Sequence, residues 1–186
     1  LYDDASTDDT ADIAESFDRV QVIRGTEWLP DRPAEETRHR ALLLDAAQAD
    51  WVLCFDADER FYGDLPPLTG NGWRFRLFDG YMTPECDTPY TGGSLQDLPR
   101  MWGPEYRDIL MMFRADAACY AGLDRREPVM RGAQRAPDAY VMHYGKCLSV
   151  EHWEETCDYY AEHWPEPYRS KWAARRGNAV HTRSDF

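Results

Sequence analysis

The chain has 186 residues, 43% of them hydrophobic and 30% charged, enough to bury one sizeable core and too apolar for a fully disordered chain. Acidic residues outnumber basic ones by 34 to 21, a formal net charge of −13, so nucleic acid and anionic membranes are disfavoured as main partners. A phosphorylated ligand would need a metal cation or a local arginine cluster to offset that charge.

In chain order, Leu1-Tyr2 reads as a strand end that stops at Asp3-Asp4. Ser6 or Thr7 can cap a helix running to about Phe17, with Asp8, Asp9 and Asp12 near its positive end. Residues Val20 to Ile23 are a short strand signal, and Pro30 and Pro33 mark a loop. Ala34 to Gln48 predicts a helix with an Ala/Leu-rich buried face, and Trp51 to Phe55 a strand covered on both faces, the habit of parallel α/β sheets. Trp73 to Phe78 alternates, placing Arg74 and Arg76 on one face and Phe75 and Leu77 on the other. Glycines and prolines over residues 79 to 108 predict a long functional loop in which Trp102 and Tyr106 could stack on a sugar. Ile109 to Arg114 and Tyr140 to His143 are strands, and Ser149 to Trp164 is a helix capped by Ser149 and stopped by Pro165.

Two acidic clusters follow predicted strands, at the edge where open α/β sheets bind ligands. One is Asp3-Asp4-Ala-Ser-Thr-Asp-Asp-Thr10; the other is Asp56-Ala-Asp-Glu59. Carboxylates this close repel one another, and Mg²⁺ or Mn²⁺ is their natural partner when substrate phosphates must also be contacted. The five cysteines (Cys54, Cys86, Cys119, Cys147 and Cys157) lack the close spacing of a zinc or redox motif and fit a reducing compartment. No apolar stretch approaches the ~20 residues of a membrane-spanning helix, and nothing at the start reads as a signal peptide.

These residues, with Thr37-Arg-His-Arg-Ala-Leu42 between the clusters and Asp50-Trp-Val-Leu-Cys-Phe leading into the second, resemble the family 2 glycosyltransferases of the GT-A fold. The resemblance is best over residues 1 to 60. It implies a mostly parallel central sheet flanked by helices, with a GT-A-like domain over residues 1–148 and a C-terminal helical segment over 149–186. It implies a nucleotide-sugar donor, most often a UDP-sugar, a saccharide or glycan-precursor acceptor, and Mn²⁺ or Mg²⁺. Asp3 and Asp4 would bind the nucleotide, Asp4 through its base, and Arg38 would lie nearby, followed by His39 where the family usually has Asn. Asp56 and Asp58 match the family's Asp-x-Asp motif, with Asp58 the direct metal ligand.

Met112-Phe-Arg114, Tyr120-Ala-Gly122, Arg126-Glu127 and His143-Tyr-Gly145 are similar to a subset acting on lipopolysaccharide-type acceptors. That similarity makes Glu127 the candidate base of an inverting reaction, with Asp124 in reserve, and His143 a third metal ligand. The plain alternatives are a surface ion pair of Glu127 with Arg125 or Arg126, and a packed, structural His143. The action would be cytoplasmic, at most peripheral to the inner membrane. The resemblance also places the first strand and its helix before Leu1, so a gap in the central sheet, poor stability and weak nucleotide binding are expected of these residues alone. Rival readings are a catalytically inactive domain of the same fold, a phosphoryl transferase of the haloacid dehalogenase type with Asp56 as nucleophile, and a calcium loop built from Asp4, Ser6, Asp8, Asp12 and Glu15.

Overall fold

The computed structural model describes residues 1–121 and 126–182. In chain order it has β1 (Tyr2–Asp3), α1 (Thr10–Glu15), β2 (Ile23–Arg24), α2 (Arg32–Ala46), β3 (Trp51–Leu53), β4 (Glu59–Gly63), β5 (Gly72–Tyr81), β6 (Met101–Arg114), β7 (Ala133–His143), α3 (Val150–His163) and α4 (Tyr168–Ala173). The fold is mixed α/β. Its main sheet has the order β3-β6-β5-β7-β4, and only the β5–β7 pair is parallel. The expected mostly parallel sheet is therefore corrected to a mostly antiparallel one. From β3 to β7 the described connections contain no α-helix, and without helical crossovers successive strands return antiparallel. β1 and β2 pair in parallel as a separate two-stranded sheet, with no ladder to the main sheet among the described residues.

Several local expectations shift. α1 begins at Thr10, not at Ser6 or Thr7, because the Asp3 side chain accepts from Ser6 N (3.3 Å) and Asp8 from Thr10 N (3.0 Å), which holds the preceding residues in turns. α2 buries Arg32, Pro33, Thr37 and His39, not an Ala/Leu face; Leu42 is exposed. β3 is a half-buried edge strand paired only with β6. The long loop shrinks to Met82–Arg100, since β5 extends to Tyr81 and β6 starts at Met101. A register shift between Phe78 and Gly80 absorbs the irregular start of β6, where Gly103 takes φ 69°. The alternation in β5 holds, with Phe75 and Leu77 fully buried. Ser149 caps α3, its hydroxyl accepting from His152 N at 3.0 Å.

One core lies on the inner face of the main sheet, around Trp73, Phe75, Leu77, Ile109, Met111 and Val141. A second joins α3 and α4 to the sheet through Met82, Tyr144, Cys147, Trp153, Cys157 and Trp172. The two helices thus share a core with residues of the expected 1–148 domain. No helix among the described residues is long and apolar enough to cross a membrane.

Candidate functional site

Helix α2 touches both acidic clusters. Near its start, buried Arg32 pairs with Asp4, donates to Tyr159 Oη of α3 (3.0 Å) and lies 4.8 Å from the Trp28 ring. Two turns on, Arg40 donates to Asp56 Oδ1 at 2.9 Å and to Cys54 Sγ at 3.3 Å. Eight residues at 1.5 Å each separate these arginines by about 12 Å along the axis, the scale of a nucleoside diphosphate. Around Asp4, His39 Nε2 approaches Oδ1 at 3.7 Å and the His39 ring stacks on Tyr2 at 3.9 Å. Burial pushes the His39 imidazole down, so it stays neutral despite Asp4. Ala5, directly after Asp4, takes φ 57°, a left-handed conformation that costs an alanine about 1 kcal/mol or more. Asp3 is buried with Oδ1 lacking a hydrogen-bond partner.

At the second cluster, the chain between β3 and β4 turns so that Glu59 Oε2 accepts from Asp56 N at 2.8 Å. Arg126 pairs with Glu59 and approaches Asp56 Oδ2 at 3.4 Å. Both Asp56 oxygens therefore face guanidinium groups, Arg40 on one side and Arg126 on the other. Glu59 is fully buried, and burial raises its carboxyl above the ordinary value although Arg126 opposes this.

Asp58 has a different environment. Its Oδ2 lies 3.2 Å from His143 Nε2, and Tyr144 N donates to the Asp58 carbonyl at 2.9 Å. Its Oδ1 is buried and has no partner, the position a bound cation would satisfy. A Cβ on Gly145 would overlap Asp58 Oδ2 and come within 2.9 Å of His143 Nε2, so only glycine lets this segment close over the pair. Burial lowers the His143 imidazole, but hydrogen bonds to Asp58 and Asp79 outweigh it and carry its pKa up to about 9. Burial likewise raises the Asp58 carboxyl, and His143 outweighs it to hold Asp58 below the usual range. Beside them, fully buried Asp79 accepts from Arg107 and Lys146 at 2.8 Å each.

The structure thus brings Asp58 and His143 together and turns Asp56 toward Arg40 and Arg126 instead, and α2 meets Asp4 and Asp56 through Arg32 and Arg40. Arg38 is exposed and bound to Glu35 at 2.9 Å, with its guanidinium 3.3 Å from His39 Nε2 and beside Tyr2, while Arg32 is the arginine that pairs with Asp4. Glu127 Oε2 accepts from Arg74 (2.7 Å) and from Leu110 N (3.1 Å), so it pairs with β5 and β6 rather than with Arg126. Asp124 lies outside the described residues. Trp102 packs edge-on against Tyr144, while exposed Tyr106 lies under Arg76. The calcium-loop set is dispersed: Asp12 and Glu15 both pair with Arg24, and Asp4 with Arg32. Sequence reasoning placed Glu59 in the second acidic cluster but missed Arg32, Arg40 and Asp79. Only Asp79 carried a signal, since it shares the inward register of Phe75 and Leu77. No protein-family model matches the sequence, and no curated protein is significantly similar to it.

Proposed function

We propose that this chain carries the donor site of a GT-A-type glycosyltransferase that moves a sugar from a nucleoside diphosphate to an acceptor hydroxyl. One observation carries the reading: α2 ties Asp4 and Asp56, on separate strand ends, to arginines about 12 Å apart along one axis. Asp4 would accept a hydrogen bond from the base, with the Tyr2–His39 stack beside it. Arg40 and Arg126 would supply positive charge along the diphosphate, held in place by Asp56 and Glu59. A divalent cation, Mn²⁺ or Mg²⁺, held by Asp58 and His143 would neutralise charge on the leaving diphosphate.

In the transfer, the acceptor oxygen bonds to the anomeric carbon as that carbon's bond to the diphosphate breaks. The acceptor proton passes to a carboxylate, and Glu127 is the candidate. Its known contacts use Oε2, so Oε1 is the oxygen assigned to the proton. A phosphoryl-transfer reading has less support, because Asp56 would have to attack through an oxygen facing a guanidinium. Thermal shift with UDP, GDP and dTDP sugars, with and without Mn²⁺, tests the proposal. A ligand at about a hundred times its Kd stabilises by ~2.7 kcal/mol, a rise of roughly 5–10 °C for a chain of this size. The expected result is such a rise with one nucleotide, lost in Asp4→Ala. No rise with any nucleotide, or one indifferent to Asp4, overturns it.

A further inference from the structure

Three adjacent strands place Glu59, His143 and Asp79 in one cross-strand row, Glu59 opposite His143 and His143 opposite Asp79. Asp79 has zero exposure, which is costly for a carboxylate unless its oxygens are fully engaged. They are. Oδ1 lies 2.6 Å from His143 Nδ1, and Oδ2 accepts from both Lys146 and Arg107. The other ring nitrogen, Nε2, lies 3.2 Å from Asp58 Oδ2, and the companion oxygen Oδ1 is buried without a partner.

We propose that Asp79 is the positioning residue of this centre: by accepting the Nδ1 proton it orients the His143 ring and leaves Nε2, beside Asp58, as the nitrogen that would give up its proton to bind a divalent cation. This rests on the metal reading of Asp58 and His143. A carboxylate behind a ligating imidazole orients the ring and sets which nitrogen is bare. Asp79 is itself fixed, because two cations on its second oxygen leave Oδ1 one direction to point. Asp79 touches no substrate; it acts through His143.

The test is Asp79→Asn. Lys146 and Arg107 are donors, so the amide oxygen must turn toward them, and the amide N–H₂ then meets His143 Nδ1. The ring responds by carrying its proton on Nε2, where the cation should bind. Mn²⁺ binding in the presence of UDP, read by the signal of free Mn²⁺ in electron paramagnetic resonance, should weaken about 10–100-fold. Nitrogen-15 spectra of the Mg²⁺- and UDP-saturated protein should show the His143 proton on Nδ1 in the wild type and on Nε2 in the variant. Lys146→Met removes one of the two cations that fix Asp79 but leaves Arg107 on Oδ2 and the carboxylate on His143 Nδ1, so it should cost far less Mn²⁺ affinity than D79N and keep the proton on Nδ1. If D79N alone does not fold, D79N/K146M removes the buried cation facing the neutral amide and tests the same tautomer. Wild-type Mn²⁺ affinity in D79N with the proton still on Nδ1 overturns the proposal alone, as does an equal loss in K146M. A wild type that binds no Mn²⁺ with UDP overturns the metal reading and the proposal together.

Discussion

Gly145→Ala tests the candidate metal centre through packing. Gly145 is not among the residues with positive φ, so alanine meets no backbone strain. By itself the change would stabilise by about 0.4–1 kcal/mol through the unfolded chain. The added Cβ, however, overlaps Asp58 Oδ2 and sits 3.2 Å from its Cγ. Asp58 cannot slide away, because its carbonyl accepts from Tyr144 N at 2.9 Å and its side chain is short. The carboxylate must rotate off His143, at an overpacking cost of about 1–3 kcal/mol. The steric term wins in most of that range. The net loss is roughly 0–2.5 kcal/mol, up to ~10 °C in Tm for a chain of this size. A thermal-melt cycle with Asp58→Ala isolates the cause. With the carboxylate gone, G145A should be neutral or slightly stabilising, and in the wild-type background it should also abolish Mn²⁺ binding. Equal destabilisation in both backgrounds, or none in either, refutes the reasoning.

The metal-free protein should lose stability as pH rises. His143 has a folded pKa of about 9 against an ordinary 6.5, so its contribution is fully present below pH 6.5 and lost as pH climbs through 9. That is worth ~3 kcal/mol at about 1.4 per pKa unit, and melts in chelator from pH 6 to 10 should flatten in His143→Gln; an unchanged slope there removes His143 as the cause. Asp58→Asn should keep a cooperative melt and abolish metal-dependent sugar transfer, and full activity in that variant would rule out Asp58 as a ligand. Glu127→Gln should cut turnover by about 10²–10⁴ and leave nucleotide affinity unchanged, since the amide oxygen can still face Arg74 and Leu110 N. Retained turnover would move the base elsewhere.

Period and punctuation made part of the fold legible. Arg74-Phe75-Arg76-Leu77 alternates polar and apolar, and β5 buries the apolar pair. Ser149 and Pro165 bracket α3 because a hydroxyl cap and a missing N–H act locally. Pairing was not legible, because it depends on distant partners. Trp51 to Phe55 is apolar enough for a central strand yet forms an edge, with Phe55 exposed. The glycines and prolines near residue 100 hid the start of β6. In the site, Asp56, Asp58 and His143 could be picked out by residue type after a strand. Arg32 and Arg40 could not, because two arginines on one side of a helix ordinarily mean a solvated face, and what makes them inward is the pair of acids they meet.

That pairing also resolves the tension between a chain of charge −13 and an anionic donor. Five carboxylates of the site are matched within it: Asp4 by Arg32, Asp56 by Arg40, Glu59 by Arg126, Asp58 by His143, and Asp79 by Lys146 and Arg107. Much of the excess acid lies elsewhere, on exposed positions such as Asp8, Asp9 and Asp18. Charges there are screened over about 8–10 Å at physiological salt, whereas the buried pairs are screened far less. On the proposed function, an arriving diphosphate would meet a locally balanced cluster rather than the field of the whole chain. It can then share the guanidinium groups of Arg40 and Arg126, which Asp56 already holds facing one another. On the proposed function the Asp-x-Asp spacing divides its labour: the first carboxylate organises arginines, and the second, with its unpartnered oxygen, would be the one to take a cation.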